Sequence, residues 1–278
     1  MFVPSDLDVL VPTRDRSGAL AVTLSGLAAQ TASGFRVVVS DQSPAAVSGD
    51  GLVTAAARIL EHRGCPVTLV HHVPPRGMAE QRAFLLRHAE RRLVLYLDDD
   101  VWLEPEAIEV LLAAIGRLRC GFVGFGLHGL SYRDDVRPHE LTPYEEWTDG
   151  VRPERVRRGT AAWRRHTLHN ASNLLHLDER TSPATHGGGA KPPWRPYKVA
   201  WIGGCVLYDR PRLVECGGFD FWTGVPPHHA GEDVVAQLRV MERYGGAGLL
   251  PSRAYHLELP TTVADRRAEC YDYVIDAS

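Results

Sequence analysis

Leu93, Val94, Leu95, Tyr96 and Leu97 run straight into Asp98, Asp99 and Asp100, and this stretch constrains the fold more than any other. A continuous apolar run of that length, bounded by polar residues, predicts a strand buried on both faces, with the acids at its carboxyl end. Such a strand needs packed layers on either side. Adjacent carboxylates repel and raise one another's pKa, so the triplet is costly unless something positive binds among them. A divalent cation is the natural candidate, because Mg2+ takes carboxylate oxygens and keeps water and phosphate oxygens as its other ligands. The competing reading is a solvated acidic turn ahead of the next helix.

The chain on either side supplies the layers. Strands are expected at 7–11, 35–40 and 67–70. Helices follow them: one capped by Asp15 or Ser17 with Leu20, Leu24 and Leu27 on one face, one through 54–60, and one opening after Gly77 with Ala79, Ala83 and Leu86 inward. Beyond the acids, Pro105 starts a helix with Ile108, Leu111, Leu112 and Ile115 in register, and 121–126 reads as a fifth strand. Alternation of this kind implies right-handed βαβ units and an α/β fold around a mostly parallel sheet. Ligands then bind past the carboxyl ends of the strands. Thr13, Arg14, Asp41, His71 and Asp98 all fall just beyond a strand end. Neither a Walker loop nor a GxGxxG follows the first strand, which excludes the usual ways of holding an NTP or a dinucleotide.

From 128 to about 196 the periodicity fails. Arg152, Arg155, Arg157, Arg158, Arg164 and Arg165, several Trp and the run His186, Gly187, Gly188 and Gly189 suggest an insertion, partly helical and partly lid. A disordered excursion and a basic patch facing a membrane are the alternatives. Order returns with a strand over 199–208, interrupted by Gly203 and Gly204. A turn at 217–220 leads to a helix opened by Glu232 and Asp233, with Val234, Leu238 and Met241 inward. By themselves those two acids read as a cap, and His256 as a structural histidine.

A formal charge of −3 gives no reason to expect nucleic acid. Lys191 and Lys198 are the lysines, so Arg dominates, as planar recognition of phosphate or carboxylate favours and as genome base composition would equally produce. Five cysteines, an odd number without a CxxC, argue against zinc and against a disulfide framework. The absence of a signal-like start and of any membrane-length apolar run points to the cytoplasm, with peripheral contact at the inner face of the membrane as an alternative.

Taken in order, these pieces resemble the family-two glycosyltransferases of the GT-A fold, whose Rossmann-like, mostly parallel central sheet is flanked by helices. Residues 11–16, with Pro12, Thr13 and Arg14, look like the loop that wraps the nucleotide. Asp41 matches the acid that hydrogen-bonds the base, which favours UDP, with GDP next. Residues 76–82, including Arg76 and Arg82, are similar to the segment beside the donor, although Ala83 stands where Asn is usual. The triplet resembles the DxD motif, implying that Asp98 contacts ribose and Asp100 holds Mn2+ or Mg2+, with Asp99 able to contribute. Gly203 and Gly204, next to Trp201, resemble the segment under the acceptor site. Glu232 and Asp233 resemble the ED motif, with Asp233 as general base, held ionised by its helix dipole. His256 matches a histidine that completes the metal site. No QxxRW-like segment follows, which favours a single addition over processive synthesis.

The resemblance implies one domain over 1–278: a nucleotide-sugar half at 1–127, the insertion at 128–197, and an acceptor and base half at 198–278. The implied reaction moves a sugar from a nucleoside diphosphate to an acceptor hydroxyl with inversion. The acceptor is a small molecule, a glycan or a lipid-linked saccharide. A sugar nucleotidyltransferase would want a glycine-rich basic loop where Pro12, Thr13 and Arg14 stand. A haloacid-dehalogenase-like phosphatase would carry its acids after the first strand. A non-catalytic nucleotide-sugar binder stays open at this level.

Overall fold

A computed structural model describes residues 1–181, 194–261, 263 and 265–277. The expected alternation sets its architecture. Strands β1 (Leu7–Thr13), β2 (Arg36–Asp41), β3 (Val67–His71) and β4 (Leu93–Leu97) are joined by helices Ser17–Ala28, Gly51–His62 and Met78–His88. Helix Ala107–Leu118 follows, and then β6 (Phe122–Gly124), β7 (Arg195–Tyr197), β8 (Cys205–Asp209) and β9 (Gly246–Leu250). Among the described residues these eight strands form one sheet in the order β3-β2-β1-β4-β8-β6-β9-β7.

β1 to β4 pair in parallel, while β8 runs antiparallel to both β4 and β6. That reversal matters for the site. Because Leu97 pairs with Cys205, the start of β8 lies at the carboxyl end of β4. The strand expected over 199–208 is therefore only its second half, and 201–204 is irregular backbone delivered to the acidic rim. Gly204 makes this turn possible, with φ of +75° and a carbonyl that accepts from Asp98 N–H at 2.9 Å.

β4 is buried on both faces as its composition demands. Leu93, Leu95 and Leu97 join the core beneath helices Ser17–Ala28, Gly51–His62 and Ala107–Leu118, whereas Val94 and Tyr96 join the core beneath Met78–His88 and Glu232–Tyr244. Neither Asp15 nor Ser17 caps the first helix: Arg16 is the N-cap, and Asp15 sits in the left-handed region.

A small ribbon was not legible in the sequence. β5 (Val101–Leu103) pairs antiparallel with β10 (Ala254–His256), so His256 stands opposite Val101. Three-residue strands leave no periodicity to read. The ribbon is nonetheless what carries His256 back to the acids.

The insertion is packed down rather than loose over its described part. Short 3-10 turns and the helix Asn173–Thr181 bury Leu141, Val156, Leu168, Leu174 and Leu177 against the second core. The glycine run at 187–189 lies outside the described residues. Trp194 is buried, with the Arg117 guanidinium 5.5 Å above its ring.

Candidate active site

The carboxyl ends of β1 and β4, the segment 201–204, the start of helix Glu232–Tyr244 and His256 surround one cavity of about 890 Å³. Of the residues singled out in the sequence, Pro12, Thr13, Arg14, Arg82, Asp98, Asp99, Asp100, Trp201, Gly203, Glu232, Asp233 and His256 line it. Gly204 lies directly behind: a Cβ there would come within 2.6 Å of Leu127 and 3.4 Å of the Asp98 carboxylate.

The three acids differ in their main partners, and Arg16 reaches both Asp99, at 3.4 Å, and Asp100. Asp98 accepts from Arg82 at 2.9 Å. Asp99 is turned inward, accepting from the Thr13 hydroxyl at 2.6 Å, and burial above all pushes its pKa up to about 6. Asp100 accepts from Arg16 at 2.6 Å and stands 3.4 Å from His256 Nε2. Burial would raise Asp100, but its hydrogen bond to His256, and then the charges of His256 and Arg16, outweigh it and hold the carboxyl below its ordinary value. The same hydrogen bond raises the pKa of His256.

Arg82 ties the acids to the second half of the chain. Its Nε donates to Glu232 at 2.9 Å and its guanidinium lies 5.5 Å from the Tyr96 ring. Burial opposes its charge, yet Asp98, Glu232 and Asp233 outweigh it and keep Arg82 firmly protonated. Glu232 is thereby committed to an ion pair, whereas the Asp233 carboxylate accepts from Val234 N–H at 2.9 Å. Sequence reasoning expected the helix dipole to hold Asp233 low. The structure reverses this: burial first and the neighbouring Glu232 second push Asp233 up to about 7.

Two expected nucleotide contacts lie elsewhere. Asp41 is 2 % exposed, outside the cavity lining, and its two oxygens accept from Ser43 N–H at 2.8 Å and Val47 N–H at 2.7 Å. It braces its own loop. The signal was present, because Asp41 followed by Ser43 and Pro44 has the form of an Asx turn. Arg76 is exposed and likewise outside the lining. Conversely, Gln81 was passed over. Buried at the sheet edge, it donates to the carbonyls of Thr13 and Ser40 at 3.1 and 2.7 Å, joining the ends of β1 and β2. Arg158, Trp163 and His166 bring the insertion to the cavity wall.

Among the described residues no group of three or more His, Cys, Asp or Glu side chains is arranged to hold a metal ion. Asp100 and His256 form a pair of hard oxygen and imidazole donors instead. That fits a cation such as Mn2+ or Mg2+ whose remaining ligands are water and phosphate oxygens. Arg16 would have to leave Asp100 first.

Comparison with known proteins bears on the family and the fold. Residues 8–175 match Glycosyl transferase family 2. A protein of Haemophilus influenzae called an uncharacterized glycosyltransferase is 29 % identical over 109 residues, which is 39 % of this chain and 34 % of that protein. Among solved structures, a mannosyltransferase of Pyrobaculum calidifontis in complex with GDP-Man and Mn2+ superposes with a TM-score of 0.53 at 18 % identity, over 89 % of this chain and 57 % of that one. S. aureus TarS in complex with UDP-GlcNAc gives 0.53 at 16 % identity, over 92 % and 60 %. The chain thus spans about a third of the curated relative it matches and under two thirds of these neighbours. The fold is GT-A.

Proposed function

The chain belongs to glycosyl transferase family 2, and on that premise we propose that it transfers a sugar from a nucleoside diphosphate sugar to an acceptor hydroxyl with inversion. One observation carries the proposal. A half-buried carboxylate with a raised pKa, Asp233, shares a cavity with the Asp100 and His256 pair and with two arginines, Arg16 and Arg82.

Three tasks fall to these groups. Asp233 takes the proton of the acceptor hydroxyl, a contribution worth about 10²–10⁴-fold in typical enzymes. The acceptor oxygen then bonds to the anomeric carbon as that carbon's bond to the diphosphate oxygen breaks. The electron pair leaves on the nucleoside diphosphate, and attack from the opposite face inverts the centre. Arg16, held by Asp100 in the free protein, is a cation placed to meet the phosphates by charge-assisted hydrogen bonds. Asp100 and His256 would hold Mn2+ or Mg2+, which when bound supplies Lewis acidity that offsets charge on the leaving diphosphate. Asp98 is the carboxylate open enough to accept from ribose, with Arg82 fixing its orientation.

UDP and GDP remain the nucleotides to compare. The sequence argument for UDP rested on Asp41, whose carboxylate is already engaged within its loop, so the base is selected by other groups or after that loop opens. A nucleotidyltransferase reading loses ground because the loop at 12–14 offers a single arginine and no glycine cradle.

The test is donor turnover. UDP- and GDP-sugars are incubated with Mn2+ or Mg2+, and release of the nucleoside diphosphate is followed. Turnover is expected with one of the two nucleotides, and Asp233→Asn should lose it by at least about a hundredfold while keeping donor affinity. Retained turnover would remove Asp233 as the base. Donor affinity without turnover in the unaltered protein, under every acceptor tried, would favour a binder.

A further inference from the structure

We propose that the acceptor is a saccharide, and that it is held by one pyranose face against an aromatic platform formed by Trp163, His166 and Trp201. The proposal rests on the reading of this cavity as a glycosyl-transfer site, and names the class of its second substrate.

The platform is a built feature. His166 stacks on Trp201 with ring centroids 5.3 Å apart and planes 3° from parallel, and Trp163 lies 4.8 Å from Trp201. All three are half-buried and line the cavity. Behind them, buried Tyr271 meets Trp163 edge-on at 5.1 Å and accepts the Arg158 backbone N–H at 3.0 Å. The Arg158 guanidinium lies 4.4 Å over the Tyr271 ring and is fixed by Glu269 and Asp272 at 2.7 and 2.6 Å. Rings locked this way lose little freedom when a ligand arrives.

Its position assigns it to the acceptor. In the sheet, β4 lies between β1 and β8. The loop at 12–16 leaves β1 on one side of the acids, and 201–204 enters β8 on the other. A donor with its diphosphate at Asp100 and its nucleoside toward β1 leaves the β8 side for the second substrate. The platform is also registered against the base. Gln237, fully buried, accepts from Ile202 N–H at 2.8 Å and donates to Ile202 C=O at 2.7 Å. Asp233 and Gln237 are four apart on one helix and share a face. The residue beside Trp201 is therefore bolted to the helix that carries Asp233.

The surroundings favour a sugar over a lipid chain. A pyranose offers one face of C–H bonds and a rim of hydroxyls. Flat rings bordered by the paired charges of Arg158, Glu269 and Asp272 match both parts. An acyl or isoprenoid chain would want apolar walls all round.

The test uses the whole chain with UDP or GDP and Mn2+. Methyl pyranosides of glucose, galactose, mannose and N-acetylglucosamine are examined by saturation-transfer NMR and calorimetry, with sorbitol as a polyol that lacks a ring. At least one pyranoside should bind, with saturation concentrated on the ring protons of one face, and sorbitol should not. Trp163→Ala should weaken that pyranoside by about tenfold, and Trp163→Phe should recover most of it. Nucleotide affinity should stay within about twofold in both. Should Trp163→Ala lose nucleotide as well, His166→Ala, which removes the ring stacked on Trp201, carries the same comparison. The proposal is overturned if nucleotide binds but no pyranoside does, or if pyranosides bind equally well without the ring. Failure of the unaltered protein to bind either nucleotide would instead overturn the reading beneath it.

Discussion

Burial and the adjacent Glu232 push Asp233 up to about 7, so the proposed base changes charge close to neutral pH. Only its ionised form accepts a proton. Transfer should therefore rise with pH through about 7, and kcat/KM should report that limb for the free enzyme. Glu232→Gln removes a negative neighbour that helps keep Asp233 protonated, and it leaves more of the Arg82 charge to favour the ionised form. The limb should shift toward acid. A shift toward alkali, or none, would show that Asp233 does not set the profile. Arg16 gives a second residue-scale prediction, because its guanidinium lies on the carboxylate proposed to hold metal. Arg16→Gln frees Asp100, so Mn2+ alone should bind more tightly. It also removes a cation facing the diphosphate, so UDP with Mn2+ should bind about tenfold more weakly or worse. Calorimetry of each titration checks the opposite signs, and equal signs would sink the assignment.

At the scale of elements, the joint between helix Glu232–Tyr244 and the segment 201–204 rests on one side chain. Gln237→Met preserves volume but leaves the N–H and C=O of Ile202 buried without partners, at about 1–3 kcal/mol each. Stability should fall by roughly that order, and kcat should fall more than nucleotide affinity, because the acceptor platform and the base lose register. If Tm drops while kcat holds, the joint is structural only. The same elements show what the sequence could disclose. The first four strands and their helices were readable because apolar runs and helical spacing are local properties. The direction of β8 was not, since antiparallel entry depends on where the preceding chain is delivered, and the ribbon of β5 and β10 was too short to leave a period. His256 reached Asp100 in expectation only through the family resemblance. Asp41 is the reverse case. Its place after β2 suggests a base contact, whereas in the structure its oxygens accept from Ser43 N–H and Val47 N–H of its own loop.

For the whole molecule the decisive property of the proposed metal site is that its two donors come from distant parts of the chain. Asp100 follows β4 and His256 ends β10, and the ribbon pairing brings them to 3.4 Å. Two protein donors satisfy only part of the six ligands about Mg2+ or Mn2+, which leaves positions for water and for the oxygens of the diphosphate. Metal and nucleotide should consequently bind with positive coupling, each raising the affinity of the other by the same factor. A ligand at a hundred times its Kd stabilises the folded state by about 2.7 kcal/mol. UDP with Mn2+ should therefore raise Tm by more than the sum of the two added singly. Asp100→Ala should abolish the excess while leaving the small shift due to nucleotide alone. Thermal melts of both proteins under the four conditions decide the matter. Strictly additive shifts in the unaltered protein would mean that Asp100 and His256 do not share a cation with the diphosphate, and that their contact serves only to pin the ribbon to the sheet.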